Sequence, residues 1–201
     1  MGFDRHEEVF LSVYSIDYLL KCRVDENSGE IIKLSPLSGR NDMFQVHDPV
    51  VLLVYDTDLD MISADVAEID PANGHVALRI RKKDIKEERR MYERYPVSLM
   101  VSARKRFSSK RINLMVRNIS LYGMGVVSDV DLPEEEFLDI DLITDKNMFY
   151  FNSQIVWKNS IGNCFEYGLK LINYDIATKS YFEEYLKKLK ESFLGMIPKA
   201  R

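Results

Sequence analysis

The sequence predicts a mainly β protein built from two small antiparallel β-barrel domains, the C-terminal one six-stranded and closed by a C-terminal helix. Short apolar segments bounded by turn residues recur through almost the whole chain. A helical period is absent until Asp175 and clear after it. A densely charged stretch, Lys82 to Glu93, shows no buried periodicity and separates two sets of strands, which gives domains 1–85 and 86–201.

In the first domain, Tyr18 to Val24 is extended and apolar, Asp25 to Gly29 is a turn, and Glu30 to Leu34 returns as the second arm of a hairpin. Pro49 introduces Val50–Tyr55, rich in β-branched residues and short enough for a buried strand. Met61 to Ile69 leads to Asp70–Gly74, where Asn73-Gly74 supplies the left-handed positions of a tight turn. Val76, Leu78 and Ile80 then alternate with Ala77, Arg79 and Arg81, so one face goes inward. The whole set reads as a small barrel or curled sheet.

In the second domain Pro96 sets an extended start. Strands follow over Val97–Phe107, Lys110–Asn118, Gly123–Ser128, Phe137–Ile143, Phe149–Trp157 and Phe165–Ile172, a number that suits a closed barrel. Asp175 is a good helix N-cap, and Phe182, Tyr185, Leu186, Leu189 and Phe193 recur at helical spacing up to Gly195, the expected C-terminal stop. That stripe is expected to cap the barrel.

The chain has 201 residues, 46% hydrophobic and 30% charged, which is ordinary for a folded globular protein. A formal net charge of −4 argues against a general nucleic-acid binder, but the basic residues cluster. Eight basic residues against four acidic ones lie between Arg79 and Arg94, and Arg104, Lys105, Arg106, Lys110 and Arg111 follow. Cys22 and Cys164 fit no metal or redox spacing, and His6, His47 and His75 are scattered, so no metal and no cofactor is expected. Asp56, Asp58 and Asp60 alternate without the glycine and glutamate of a calcium loop. The N-terminus lacks a signal-peptide core and no apolar run is long enough to span a bilayer, so a cytoplasmic protein without membrane insertion is expected. No nucleophile–base set or P-loop can be assembled, so an enzyme is not expected.

The binding candidates fall in two groups. Arg89, Arg90 and Arg94 stand before one strand, and Asn118, Ser120 and Gly123 form a small polar turn after the next. Together they suit a flat, doubly charged ligand such as a nucleotide. Arginine forms bidentate bonds to phosphate or guanine and stacks on purines. Each such contact is worth about 1–3 kcal/mol, so two or three supply much of the roughly 8 kcal/mol of a micromolar complex.

Arg90-x-x-x-Arg94 followed by Asn118-x-Ser120-x-x-Gly123 resembles the bipartite motif of the PilZ domain, the bacterial receptor module for cyclic di-GMP. The Tyr167-Gly168-Leu169 segment and the closing helix are also similar to that family, and the resemblance covers about Glu87 to Gly195. It implies cyclic di-GMP as ligand, with Arg90 and Arg94 on phosphate and guanine and Asn118 accepting from the guanine edge. Many family members carry aspartate at the position of Asn118. Arg89 is similar to members that take an intercalated ligand dimer. The β-rich first domain is similar in layout to the N-terminal domain of flagellar-brake PilZ proteins, which implies a protein partner such as a flagellar motor component.

Each candidate also has a plain structural reading. The arginines could be a solvated linker paired with Glu87, Glu88 and Glu93, and the asparagine an ordinary Asx turn. Gly125 reads as relief of a strand bend and Trp157 as barrel packing. Tyr92 either stacks on a guanine or folds back on the barrel. The rival functions are a ligand-independent PilZ-like interaction module and a single-strand nucleic-acid binder using Arg104 to Arg111.

Overall fold

The computed structural model describes residues 4, 7–14, 19–37, 44–55, 58–81, 92–144, 147–172 and 174–197. The expected domain boundary at residues 85 and 86 lies outside them. β1 (Glu8–Ser12), β2 (Leu19–Asn27), β3 (Ile31–Pro36), β4 (Pro49–Tyr55), β5 (Leu59–Asp70) and β6 (His75–Ile80) close one antiparallel barrel in the order β1-β2-β3-β6-β5-β4. β7 (Tyr95–Lys105), β8 (Arg111–Ser120), β9 (Gly123–Ser128), β10 (Phe137–Ile143), β11 (Met148–Ile161) and β12 (Cys164–Ile172) close a second in the order β7-β8-β9-β12-β11-β10. Helix α1 (Ile176–Met196) follows.

Alternation sets each inner face. Leu20, Cys22 and Val24 of β2, and Ile112, Leu114 and Val116 of β8, are buried while the residues between them point out. β4 is apolar without interruption for a different reason. Its Val50 and Leu52 fill the first barrel, whereas Val51 and Leu53 join the core of the second, so both faces are buried. In α1, Phe182, Leu186, Leu189 and Phe193 close the second barrel, with the Phe182 ring centroid 4.8 Å from that of Phe151.

Two elements differ from the sequence expectation. β1 was not foreseen, yet Val9 and Leu11 are fully buried and Phe10 pairs with Leu53 to close the first barrel. It is a five-residue strand whose closing partner is far along the chain, and short segments of this kind carry little local signal. Gly195 is not the helix stop: it lies within α1, and the cap is Ile197, whose N–H donates to the Phe193 carbonyl at 3.3 Å. The Ile197 side chain is buried in the second core, and this anchor carries the helix past the glycine. The first hairpin turn also falls later than expected, with β2 running to Asn27.

The barrels meet through apolar packing and a cluster of four charges. Arg117 Nη2 lies 2.8 Å from Asp65 Oδ1, and its Nη1 contacts Glu166. Arg81 bonds Asp65 Oδ2 through Nε at 2.6 Å and approaches Glu166 Oε1 at 3.2 Å. Each carboxylate therefore faces one arginine from each barrel. The Arg117 side chain is only 3% exposed, and burial pushes its pKa down against the opposing pull of Asp65 and Glu166. Tyr14 N–H also donates to Ser98 Oγ across the boundary at 2.9 Å.

Candidate functional site

Of the candidate residues, Asn118 and Ser120 lie on β8 and Gly123 on β9, at one end of four adjacent strands of the second barrel. Register places Asn118 of β8 opposite Gly125 of β9, Gly125 opposite Gly168 of β12, and Gly168 opposite Trp157 of β11. Residues between these, such as Met124, Tyr167 and Leu169, point into the core. The result is an outward strip with an amide at one end, an indole at the other and no side chain on the two strands between them.

Both glycines are demanded by what covers them. A Cβ on Gly125 would stand 2.8 Å from Asn118 Nδ2, and one on Gly168 would stand 1.9 Å from Trp157 Nε1. The amide and the indole therefore lie down over the strip. Gly125, expected to relieve a strand bend, lies opposite the register shift between Val116 and Asn118 and is also the seat of Asn118. Trp157 packs on the outside of the barrel, 38% exposed, and not in its core. The register shift between Ile155 and Trp157 turns it outward while Ile155 stays inside.

Asn118 Oδ1 is buried and has no hydrogen-bond partner among the described residues. Such an acceptor calls for a donor from elsewhere. Ser120 is committed locally, its hydroxyl donating to the Gly123 carbonyl at 3.1 Å to brace the turn. Gly123 is required by close approach, since a Cβ there would meet the Leu169 carbonyl oxygen at 2.7 Å. The next outward row runs from Ser120 to Gly123 to Lys170, which brings a cation to the same face.

Pairing of β7 with β8 brings the arginine segment alongside. Tyr95 pairs with Ile119 and Pro96 with Asn118, so Arg94 directly precedes the first residue of the ladder. Arg89 and Arg90 lie outside the described residues. Tyr92 folds back on the barrel, its ring 4.4 Å from that of Tyr122. Three residues of the other basic run pair across strands: Arg104 with Asp139 at 3.1 Å, Lys105 with Glu136 at 3.2 Å, and Arg111 with Asp141.

Sequence reasoning set Trp157 aside and passed over Lys170. The available signal was Gly168 in the middle of a strand, since a strand glycine away from any turn marks a close approach. Among the described residues, no group of His, Cys, Asp and Glu could hold a metal ion, and no helix is long and apolar enough to cross a membrane.

No curated protein matches the chain. Among solved structures, it is similar to YcgR in complex with c-di-GMP from Escherichia coli, with 12% identity over 94% of this chain and 85% of that one and a TM-score of 0.45. It is also similar to the Bacillus subtilis inhibitor of motility MotI/DgrA, with 13% identity over 98% and 100% of the two chains and a TM-score of 0.44. The K. pneumonia MrkH–c-di-GMP complex gives 10% identity over 92% and 87% and a TM-score of 0.43. The family model of the PilZ domain matches residues 88–188, half of the chain, and it contains both halves of the motif, the glycine strip and most of the closing helix. The chain belongs to the PilZ domain family.

Proposed function

We propose that the protein is a cyclic di-GMP receptor that binds its ligand over the glycine strip between Asn118 and Trp157. PilZ-domain proteins are cyclic di-GMP-binding effectors rather than enzymes, and the nucleotide is their ligand and not a cofactor. The observation that carries the reading is Asn118 Oδ1, buried and without a hydrogen-bond partner among the described residues, on a row whose two glycines let the amide and the Trp157 indole lie flat. A guanine entering beside the amide and the indole that cover Gly125 and Gly168 offers its N1 and N2 hydrogens to that oxygen and its face to Trp157. Arg90 and Arg94 supply the phosphate and Hoogsteen-edge contacts, with Ser120 and Gly123 shaping the wall, and Arg89 sets whether one or two ligand molecules stack.

Occupancy then fixes the arrangement of the two barrels. Arg117 of the interdomain charge cluster directly precedes Asn118, and Glu166 lies on the same face as Gly168, two residues away. A ligand drawing the arginine segment onto this face favours one arrangement over others, which is the source of a switch. The output is a protein partner in the cytoplasm, with a flagellar motor component as the candidate.

Calorimetry with cyclic di-GMP tests the site. Arg90→Ala with Arg94→Ala should lose binding, and undiminished binding by the double variant overturns the assignment. The same titration gives stoichiometry, and swimming assays of a deletion strain complemented with each variant test the motility output. The paired Arg104–Arg111 strands do not favour a nucleic-acid reading.

A further inference from the structure

Three side chains from distant parts of the second domain converge beside the site. Tyr92 lies between Arg90 and Arg94 in the arginine motif, Tyr122 lies between Ser120 and Gly123 in the turn motif, and Lys179 lies in α1. The Tyr92 and Tyr122 rings are 4.4 Å apart at an interplanar angle of 53°. Lys179 Nζ donates to the Tyr122 phenol oxygen at 2.6 Å and stands 5.0 Å from the centre of the same ring. Tyr122 therefore holds the motif segment on one side and the helix on the other.

The turn that carries Tyr122 is itself fixed. Leu171 N–H donates to the Tyr122 carbonyl at 2.9 Å, and the Tyr174 hydroxyl donates to the Leu121 carbonyl. Tyr92 lies before the start of β7 at Tyr95, and among the described residues no backbone hydrogen bond is seen to hold it. The Lys179 ammonium holds the Tyr122 phenol below the usual tyrosine range, and the hydrogen bond with Tyr122 raises that of Tyr92. Those directions fit an oxygen on Tyr122 that accepts from both neighbours.

We infer that Tyr122 and Lys179 are positioning residues that hold Tyr92, and the backbone leading to Arg94, against the barrel before any ligand arrives. The inference rests on the proposed cyclic di-GMP site and adds a role for the helix. The measured dissociation constant equals the intrinsic one divided by the fraction of chains whose arginine segment is docked. Loosening the stack therefore weakens binding without removing a ligand contact.

The test uses the full chain. Hydrogen–deuterium exchange at residues 92–94 is followed without ligand in wild type, Tyr122→Leu, Lys179→Met and Lys179→Arg, with calorimetry against cyclic di-GMP alongside. Tyr122→Leu and Lys179→Met should speed exchange there, leave the β7 core amides unchanged and raise Kd about two- to tenfold, the range expected for one aromatic pair. Lys179→Arg, which keeps a cation and a donor, should restore both readouts. Should Tyr122→Leu disturb the barrel, the Lys179 pair carries the same comparison. A weakened Kd with unchanged exchange makes these residues direct ligand contacts and overturns the inference, as does unchanged Kd with unchanged exchange. If wild type does not bind cyclic di-GMP, the functional reading falls alone, and the exchange at residues 92–94 decides the positioning role by itself.

Discussion

Counting strands from the start of each barrel, both run in the order first, second, third, sixth, fifth, fourth. Two of their register shifts correspond as well, Val24/Glu26 with Val116/Asn118 and Val66/Glu68 with Ile155/Trp157, while the shift between Pro96 and Leu99 has no counterpart between β1 and β2. The row equivalent to Asn118–Gly125–Gly168–Trp157 is therefore Glu26–Lys33–Ala77–Glu68 in the first barrel. There Lys33 Nζ bonds Glu26 Oε2 at 2.7 Å across the strip, and no strand of that barrel contains a glycine. The first barrel carries a side chain on all four strands of this row, whereas in the second only Asn118 and Trp157 cover it. The fold supplies the strip in both cases, and two glycines let an amide and an indole lie flat on one of them.

The largest way to break the comparison lies at the equivalent bulges, which carry Asp25 and Arg117. Asp25 stays at the surface of its own barrel beside Ser35, whereas Arg117 is buried against the other barrel. Arg117→Ala should cost about 3–5 kcal/mol in urea denaturation, because Asp65 and Glu166 lose a buried counter-charge. A cost near zero would show that the cluster does not hold the barrels together.

Next comes the floor itself. Gly168→Ala puts a methyl where the indole nitrogen lies and must lift Trp157. Cyclic di-GMP affinity should fall by the value of one base–aromatic stack, about 1–3 kcal/mol, with a change in tryptophan fluorescence of the ligand-free chain. Asn118→Ala removes one neutral acceptor and should cost about 0.5–1.5 kcal/mol of binding by calorimetry. Asn118→Asp should reverse the sign, since a charged acceptor bonds guanine more strongly.

Helix α1 belongs to the second barrel alone, and its cap gives a smaller, pH-dependent difference. The Thr178 N–H holds the Asp175 carboxyl below the usual range. A lowered folded pKa means the cap is complete above the unfolded carboxylate range and is lost as the pH falls through the folded value. The helicity gap between wild type and Asp175→Ala, read by circular dichroism, should close across that window. Smallest of all, Lys33→Met breaks the exposed pair on the first barrel's strip and should leave the affinity for cyclic di-GMP unchanged. A change there would mean that both strips take part in binding.

Much of this was legible in the residues. Alternation and turn chemistry located eleven of the twelve strands now seen, and Asp175 and the apolar stripe located α1. The two motifs pointed to Asn118, Ser120, Gly123 and Arg94 because spacing within a hairpin is local. The face that Trp157 takes was not legible because facing depends on bulges, and a single inserted residue sends every later side chain to the other side.

The sequence by itself determined the periodicities, the turns and the two half-motifs, all properties of neighbours along the chain. Only the tertiary structure decided that Asn118, Gly125, Gly168 and Trp157 form one row. It also decided that Asp65 and Arg81 of one barrel meet Arg117 and Glu166 of the other. These contacts depend on strand register across the barrel wall and on the packing of one barrel against the other. Both are set by the whole set of buried residues at once, so no local stretch encodes them.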